Sequence, residues 1–451
     1  MKLARALRIA PGEVIALVGG GGKTTAMFQL AAELAHPQKF RVLTTTTTRI
    51  FAAQISRSPA HVTFDPERQT MADILPQLES ALDKFGQVLL IGQADPVSGK
   101  AFGVPPEIID ALAATGRFSL IINEADGSRM RSFKAPADHE PVIPACTTLV
   151  MPMVGLDVLG QPLTDEAVHR AGLVSRLSGG EPGSPVSAEI IARTLCHPQG
   201  GLKNIPAGAR VIPLLNKING TAELVAGRGV AQKLLTCPAI EAVGLGAVQQ
   251  AQNPIIEMQG RTAIIILAAG GSSRFGSPKQ LARWRTYTFL ERAVDIALAA
   301  EAGPVIAVLG AEAARCRAVL TGRPVGVVEN KNWAAGQSSS MQAGLAALPD
   351  NVNSALFLLV DQPEVQPETI KAVIARYRQT MAPIVWPEFE RRRGNPVLFD
   401  QALFAELHRI TGDTGGRPLL HAYQSEAERV AVSDPGVLLD FDHPHDLETY
   451  R

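Results

Sequence analysis

The chain has 451 residues, with 43 Lys+Arg against 43 Asp+Glu, 46% hydrophobic residues and 19% charged ones. That length exceeds one ordinary core and predicts two or three domains, while the formal net charge of zero excludes an electrostatic footprint for nucleic acid or an anionic membrane surface. No apolar run approaches a membrane span, the N-terminal run 14–18 is too short for a signal segment, and the four cysteines form no CxxC pair, so the expectation is a cytoplasmic protein with reduced thiols.

From the N-terminus, short apolar runs at 14–18, 41–44, 87–91, 119–122, 148–151 and 211–215 alternate with longer helical patterns. This is the rhythm of parallel strands joined by crossover helices. The first run leads into a glycine loop, Gly19, Gly20, Gly21 and Gly22, followed by Lys23 and Thr24 and a helix through Ala35. Glycine amides and a helix N-terminus make an anion cradle there, with Lys23 directed at the outer phosphates of ATP or GTP and Thr24 at Mg²⁺. The spacing is not that of a regular P-loop, because the first glycine of that motif falls on Leu17; a turn without a ligand is the competing reading. Run 119–122 ends in Asn123-Glu124-Ala125-Asp126-Gly127, acids at the C-terminal end of a strand where a metal or a catalytic water would be held. Asn216-Lys217-Ile218-Asn219 resembles the base-reading NKxD of GTPases, with Asn in place of Asp.

The polar stretch 247–261 has no periodicity and predicts a linker at 251–261 between domains 1–250 and 262–451. A second cycle follows, with strands at 263–267, 305–309, 325–328, 355–360 and 384–386 and helices at 289–300, 313–320, 338–348 and 368–378. The fold class is therefore α/β in two tandem domains, the first P-loop-like and the second Rossmann-like with a mostly parallel sheet. They are not repeats, because their glycine loops differ in spacing and chemistry.

After strand 263–267 comes a turn containing Leu267, Ala268, Ala269, Gly270, Gly271, Arg274 and Lys279. Small residues let backbone amides converge on an anion, and Arg274 and Lys279 supply charge to a triphosphate. Asp361 stands at the end of run 355–360, the edge where ligands of open sheets bind and where a hard Mg²⁺ takes carboxylates.

The pattern LAAGxSxRFGxxK, with Gly336 to Ser340, Val360-Asp361-Gln362-Pro363, Gly394-Asn395-Pro396 and Asp440-Phe441-Asp442, resembles the MobA-like nucleotidyltransferases that couple a nucleoside triphosphate to molybdopterin, and among them the molybdenum cofactor cytidylyltransferase branch. The resemblance implies transfer of CMP from CTP to molybdopterin with loss of pyrophosphate. It implies Mg²⁺ on Asp361 and Asp442, catalytic roles for Lys279, Arg274 and Asp361, and nucleotide contacts from Leu267, Ala268, Ala269, Gly270, Gly336 and Ser340. Gly394, Asn395, Pro396, Asp413 and Arg417 fall on the acceptor side, with Asn395 where the family usually carries His. Ala268-Ala269-Gly270 points to CTP over GTP, since a methyl at 269 narrows the pocket towards a pyrimidine.

Over 11–250 the chain resembles the selenium-dependent hydroxylase accessory protein family, through Val18 to Thr25, Thr44 to Thr48, Asn123 to Ser128, Lys134-Ala135-Pro136 and Gly155 to Val158. This implies a nucleotide-binding accessory domain that prepares or hands over a cofactor, with a molybdenum hydroxylase apo-enzyme as partner. Two other readings remain open: a nucleotidyltransferase of the same fold using another nucleotide or phosphorylated acceptor, and a non-catalytic nucleotide-binding cofactor carrier or chaperone.

Overall fold

The computed structural model describes residues 1–95, 97–272 and 275–449. Two units separate, Met1–Gln259 and Gly260–Arg451, and each builds its own main sheet. Among the described residues no helix is long and apolar enough to cross a membrane, and no disulfide joins the cysteines.

In the first unit, Glu13–Gly19 lies between Leu149–Gly155 and Leu120–Glu124, parallel to both. Val42–Thr46, Gln87–Ile91 and His61–Thr63 extend the sheet on one side, and Leu214–Asn216 and Val243–Gly246 on the other. Helices cover both faces of such a sheet, so its central strands carry continuous buried runs rather than alternation. The threonines of Val42–Thr46 fit this burial because their hydroxyls donate to neighbouring carbonyls, Thr44 Oγ1 to Val88 O at 3.2 Å, Thr45 Oγ1 to Leu90 O at 2.9 Å and Thr46 Oγ1 to Glu124 O at 2.9 Å.

Two expectations need correction. The strand expected at 211–215 is split into Arg210–Val211 and Leu214–Asn216, with Pro213 between them unable to donate to a ladder. The segment expected as a linker at 251–261 carries Ile255–Gln259, an antiparallel edge strand paired with Val243–Gly246, and the next strand already begins at Arg261. Its apolar residues are separated by polar ones too irregularly to show a period.

In the second unit, Arg261–Ala268 runs parallel to Val305–Leu309 and Val352–Leu359 on its two sides. Strict alternation divides its side chains between two cores: Ile264, Ile266 and Ala268 on one face, Ile265, Leu267 and Ala269 on the other. Val397–Asp400 then pairs antiparallel with Val352–Leu359, and Ile384–Phe389 antiparallel with Val397–Asp400, so Ile384–Phe389 points the same way as the central strands. The helix Phe289–Ala299 is started by a reciprocal cap in which Glu291 N donates to Thr288 Oγ1 at 3.2 Å and Thr288 N to Glu291 Oε2 at 2.8 Å.

Beneath that helix, Trp284, Phe289 and Phe441 form an aromatic cluster with ring centroids 4.8 to 6.3 Å apart. Phe441 sits between Asp440 and Asp442, so this packing fixes the chain that carries both acids. Phe441→Ala removes a side chain only 1% exposed. It is expected to destabilise the protein by about 3–5 kcal/mol in chemical denaturation.

Candidate functional site

Each unit places a lysine from its glycine loop against carboxylates at the C-terminal end of a strand. In the first, the loop must be glycine because the protein itself fills the space around it: Gly22 has φ +127°, and a Cβ there would stand 2.5 Å from Asn216 Nδ2. Asn216 Nδ2 donates to Gly21 O at 2.6 Å and its Oδ1 accepts from Val248 N at 2.9 Å, so this asparagine braces the glycine loop from behind.

Lys23, 4% exposed, donates to Gly19 O at 2.6 Å and lies 3.2 Å from Asp126 Oδ1 and 3.8 Å from Glu124 Oε1. Burial pulls its pKa down, but Asp126 and Glu124 outweigh that and hold the ammonium above its ordinary value. Thr24 Oγ1 donates to Glu124 Oε2 at 2.7 Å, and Gly19 N donates to Asp126 Oδ2 at 3.0 Å. Burial raises the Glu124 pKa against the opposing pull of Lys23. The network continues through Lys134, which reaches Asp126 at 3.1 Å and Glu140 at 2.6 Å, to Arg170, 2.6 Å from Glu140. Gly20 and Gly21 complete the loop, and Gly21, Gly22, Lys23 and Thr24 border a cavity of about 830 Å³.

In the second unit Lys279 Nζ stands 2.9 Å from Asp361 Oδ2 and 2.9 Å from Asp442 Oδ1. Burial lowers the Lys279 pKa, yet Asp361 and Asp442 more than compensate and raise it. Lys279 N donates to Ser272 Oγ at 2.9 Å, which fastens the lysine to the glycine turn. Leu267, Ala268 and Ala269 are buried beneath that turn, whereas a Cβ at Gly270 would meet open space. Arg274 lies outside the described residues.

The other expected residues are placed as follows. The methyl of Ala269 is turned inward, where a Cβ built on Gly310 would lie 2.8 Å from it, so it shapes the turn from behind rather than lining an open pocket. Ser340 is buried and its hydroxyl accepts from Asn330 Nδ2 at 3.1 Å. Gly336 has φ +104° and a Cβ there would lie 2.6 Å from the Gly412 backbone, while Asp413 Oδ1 accepts from Gln337 N at 3.1 Å. The loop of Asp413 is thus packed on the Gly336 turn. Gly394 and Pro396 are buried and flank Asn395, whose N–H donates to Val437 O at 3.0 Å. Arg417 borders a separate cavity of about 420 Å³ with Arg391, Arg393, Arg429 and Glu388.

Three contributors escaped the sequence reading. Gln280 donates to Ala268 O at 3.0 Å and Gly270 O at 2.6 Å, pinning the glycine turn from inside. Trp333 lies over the same turn, with its ring carbon 2.9 Å from where a Cβ on Gly271 would stand. Asp440 accepts from Gln362 Nε2 at 2.6 Å, and burial followed by the nearby Asp361 raises its pKa. Nothing short of the folded turn marks Gln280; the other two lie inside recognised motifs.

Acid should unsettle the first unit in two windows. Burial and then Arg170 push the His169 pKa down to about 4, from 6.5, so the unfolded chain binds the proton first and stability falls from about pH 6.5 to 4. Glu140 is held at about 2 because Arg170 and Lys134 overcome its burial; its contribution, complete above 4.5, is lost as the pH falls towards 2. Thermal melts should show both, and His169→Gln should flatten the first window alone.

Comparison with known proteins places these two sites. Residues 15–172 match the family model described as YqeC protein, and residues 264–428 match the MobA-like NTP transferase domain. The chain is 33% identical over 237 residues to the uncharacterized protein YqeC of Escherichia coli (strain K12), covering 52% of this chain and 88% of that one. It is 31% identical over 185 residues to a nicotine blue oxidoreductase of Paenarthrobacter nicotinovorans, covering 40% of this chain and 90% of that one. Among solved structures, Rv0371c of Mycobacterium tuberculosis H37Rv is similar at 30% identity and TM-score 0.38, over 42% of this chain and 96% of that one. The chain therefore belongs to the YqeC family through its first unit and carries a MobA-like NTP transferase domain in its second.

Proposed function

We propose that the second unit transfers CMP from CTP to the terminal phosphate of molybdopterin, releasing pyrophosphate, and that the first unit is a nucleotide-binding accessory domain serving a molybdenum hydroxylase apo-enzyme. The observation that carries the transferase reading is the meeting of Lys279 with Asp361 and Asp442 beside the glycine turn. The phosphate of the acceptor attacks the α-phosphorus of CTP, the bond to the β-phosphate oxygen breaks, and no covalent enzyme intermediate is needed.

The donor set suits a magnesium ion. Two carboxylates face one ammonium, leaving negative charge to be matched, and Asp361 Oδ1 is buried without a hydrogen-bond partner among the described residues. Held by Asp361 and Asp442, the ion would supply charge neutralisation at the transferring phosphate. Lys279 brings positive charge to the same point, and Gln280 and Ser272 keep the turn in place so that the backbone near Gly270 presents a fixed surface to phosphate oxygens. Arg274 is assigned to the leaving pyrophosphate, and Leu267, Ala268, Ala269, Gly336 and Ser340 to shaping the nucleotide seat. Ala269 acts on base choice through the position of the turn.

On the acceptor side, Arg391, Arg393, Arg417 and Arg429 supply a basic cavity with Glu388 as its one acid. Glu388 lies near the C-terminal end of a strand that points the same way as the strand preceding Asp361, so this cavity and the acids share a sheet edge. Gly394, Asn395, Pro396 and Asp413 are assigned to the same acceptor side. In the first unit, Gly19 to Gly22, Lys23 and Thr24 are assigned to the phosphates of ATP or GTP.

Pyrophosphate release from purified protein with Mg²⁺, molybdopterin and each nucleotide in turn tests this directly, with CTP expected to be consumed faster than GTP. Asp361→Asn and Lys279→Ala should each lower kcat by roughly 10²–10³-fold, as loss of one preorganised charge at a transition state does; full activity in Asp361→Asn would remove the metal assignment. Chelation should stop the reaction and Mg²⁺ restore it. Because a relative of the second unit carries an oxidoreductase name, oxidation of NADH or NADPH is the other arm of the assay, and turnover there without pyrophosphate release would replace the transferase reading. Lys23→Ala should lower hydroxylase maturation.

A further inference from the structure

The cavity of about 830 Å³ in the first unit is larger on one side than its phosphate loop explains. A smaller cavity of about 220 Å³, bordered by Asn216, Lys217, Asn219, Val248 and Gln249, shares Gly21, Gly22, Thr25 and Lys217 with the larger one. If the loop holds a nucleotide, that smaller space is where the base goes, since it lies on the side of the Asn216 motif. The opposite side of the large cavity is then left open.

That opposite side is a wall of different chemistry. The small sheet of Arg49–Phe51, Lys100–Phe102 and Ala94–Asp95 brings Arg49, Phe51, Lys100 and Phe102 to the cavity. The guanidinium of Arg49 lies 4.5 Å from the centre of the Phe102 ring, and the ammonium of Lys100 lies 5.6 Å from that of Phe51. Phe51 and Phe102 remain 45% and 39% exposed, two phenylalanines on one small sheet bordering the same cavity. Arg129 borders the cavity as well.

The charges decide the kind of ligand. Lys23, Arg170 and Lys217 also border the cavity, but they are matched by Asp126, Glu140 and Asp157. Arg49, Lys100 and Arg129 form no close ion pair with a carboxylate among the described residues; Asp95, on the same small sheet, acts on Arg49 only through its field. Three cations free of close carboxylate partners and two exposed rings around one space call for a small molecule that is both flat and anionic.

We propose that the first unit has a second ligand site on this wall, built to hold a planar aromatic compound bearing a phosphate, beside the nucleotide held by the glycine loop. The two-ligand form rests on the nucleotide reading of that loop; the wall itself does not. Arg49, Lys100 and Arg129 bind the phosphate, and Phe51 and Phe102 cover the ring.

Calorimetry on the full chain tests the site, with 4-methylumbelliferyl phosphate as probe, 4-methylumbelliferone as the ring alone and inorganic phosphate as the anion alone. The probe should bind at least tenfold more tightly than either fragment. Arg49→Ala with Lys100→Ala should weaken it at least tenfold while the affinity for ATP and GTP stays within twofold, and Arg129→Ala should act in the same direction. Saturating nucleotide should leave the probe bound. A probe no tighter than inorganic phosphate, indifferent to the double substitution, or displaced competitively by nucleotide overturns the proposal. Probe binding in a protein that binds neither ATP nor GTP would instead refute the nucleotide reading and leave the wall standing.

Discussion

In both units, a lysine that follows a glycine turn is paired with acids: Glu124 and Asp126 at the end of a parallel neighbour of the strand that leads into the turn, and Asp361 at the end of such a neighbour together with Asp442 from a distant segment. The ion pair is what makes the rest possible, because an ammonium withdrawn from water without a partner costs several kcal/mol, and so does a carboxylate. Each lysine is thereby kept charged where a phosphate can reach it. Each set of acids is kept close together although like charges repel. Removing Lys23 therefore does more than delete a binding group, because it leaves the buried Glu124 and Asp126 facing one another; removing Lys279 leaves Asp361 and the half-exposed Asp442 without their shared cation.

The scaffold explains why the pairs form. Register sets Leu17 beside Glu124 in the first unit and Leu267 beside Leu359 in the second, so the strand ends, and the loops that follow, emerge at the same level. Parallel strands bring all their C-terminal ends to one edge, and short turns there need small residues to avoid one another. The glycines of the first loop are surrounded by backbone from the segments around Arg131, Met153 and Gly155. In the second unit the aromatic cluster around Phe441 does the comparable work, holding a distant piece of chain against the sheet so that Asp442 reaches Lys279.

Much of this was legible in residue order. Buried parallel strands appear as unbroken apolar runs, so the central strands of both sheets were readable, and the lysines and acids could be singled out because small residues and charges seldom meet at strand ends without a reason. What could not be read was anything set by distant neighbours. Ile255–Gln259 forms because an edge was free beside Val243–Gly246, not because its own sequence has a period. Ser340 and Asp413 lie in motifs that suggest ligand contact; in the fold Ser340 accepts from the Asn330 side chain and Asp413 from the Gln337 backbone, partners that residue order does not show. Gln280 fixes the glycine turn through two carbonyls that only the folded loop brings together.

The two lysine sites differ in how completely their charges are matched, and this difference separates their chemistry. Lys23 is enclosed by Gly19 O, Asp126 and Glu124, and Asp126 is shared with Lys134, so positive and negative groups alternate through Glu140 to Arg170. Arg49, Lys100 and Arg129 border the same cavity but stand outside this alternating chain. Around Lys279 the balance is reversed: Asp361 and Asp442 outnumber it, and the pKa of neighbouring Asp440 is raised by burial and then by Asp361. An excess of carboxylate at the end of a strand, beside a turn open to solvent at Gly270, is the donor set on which the proposed metal ion and its triphosphate rest.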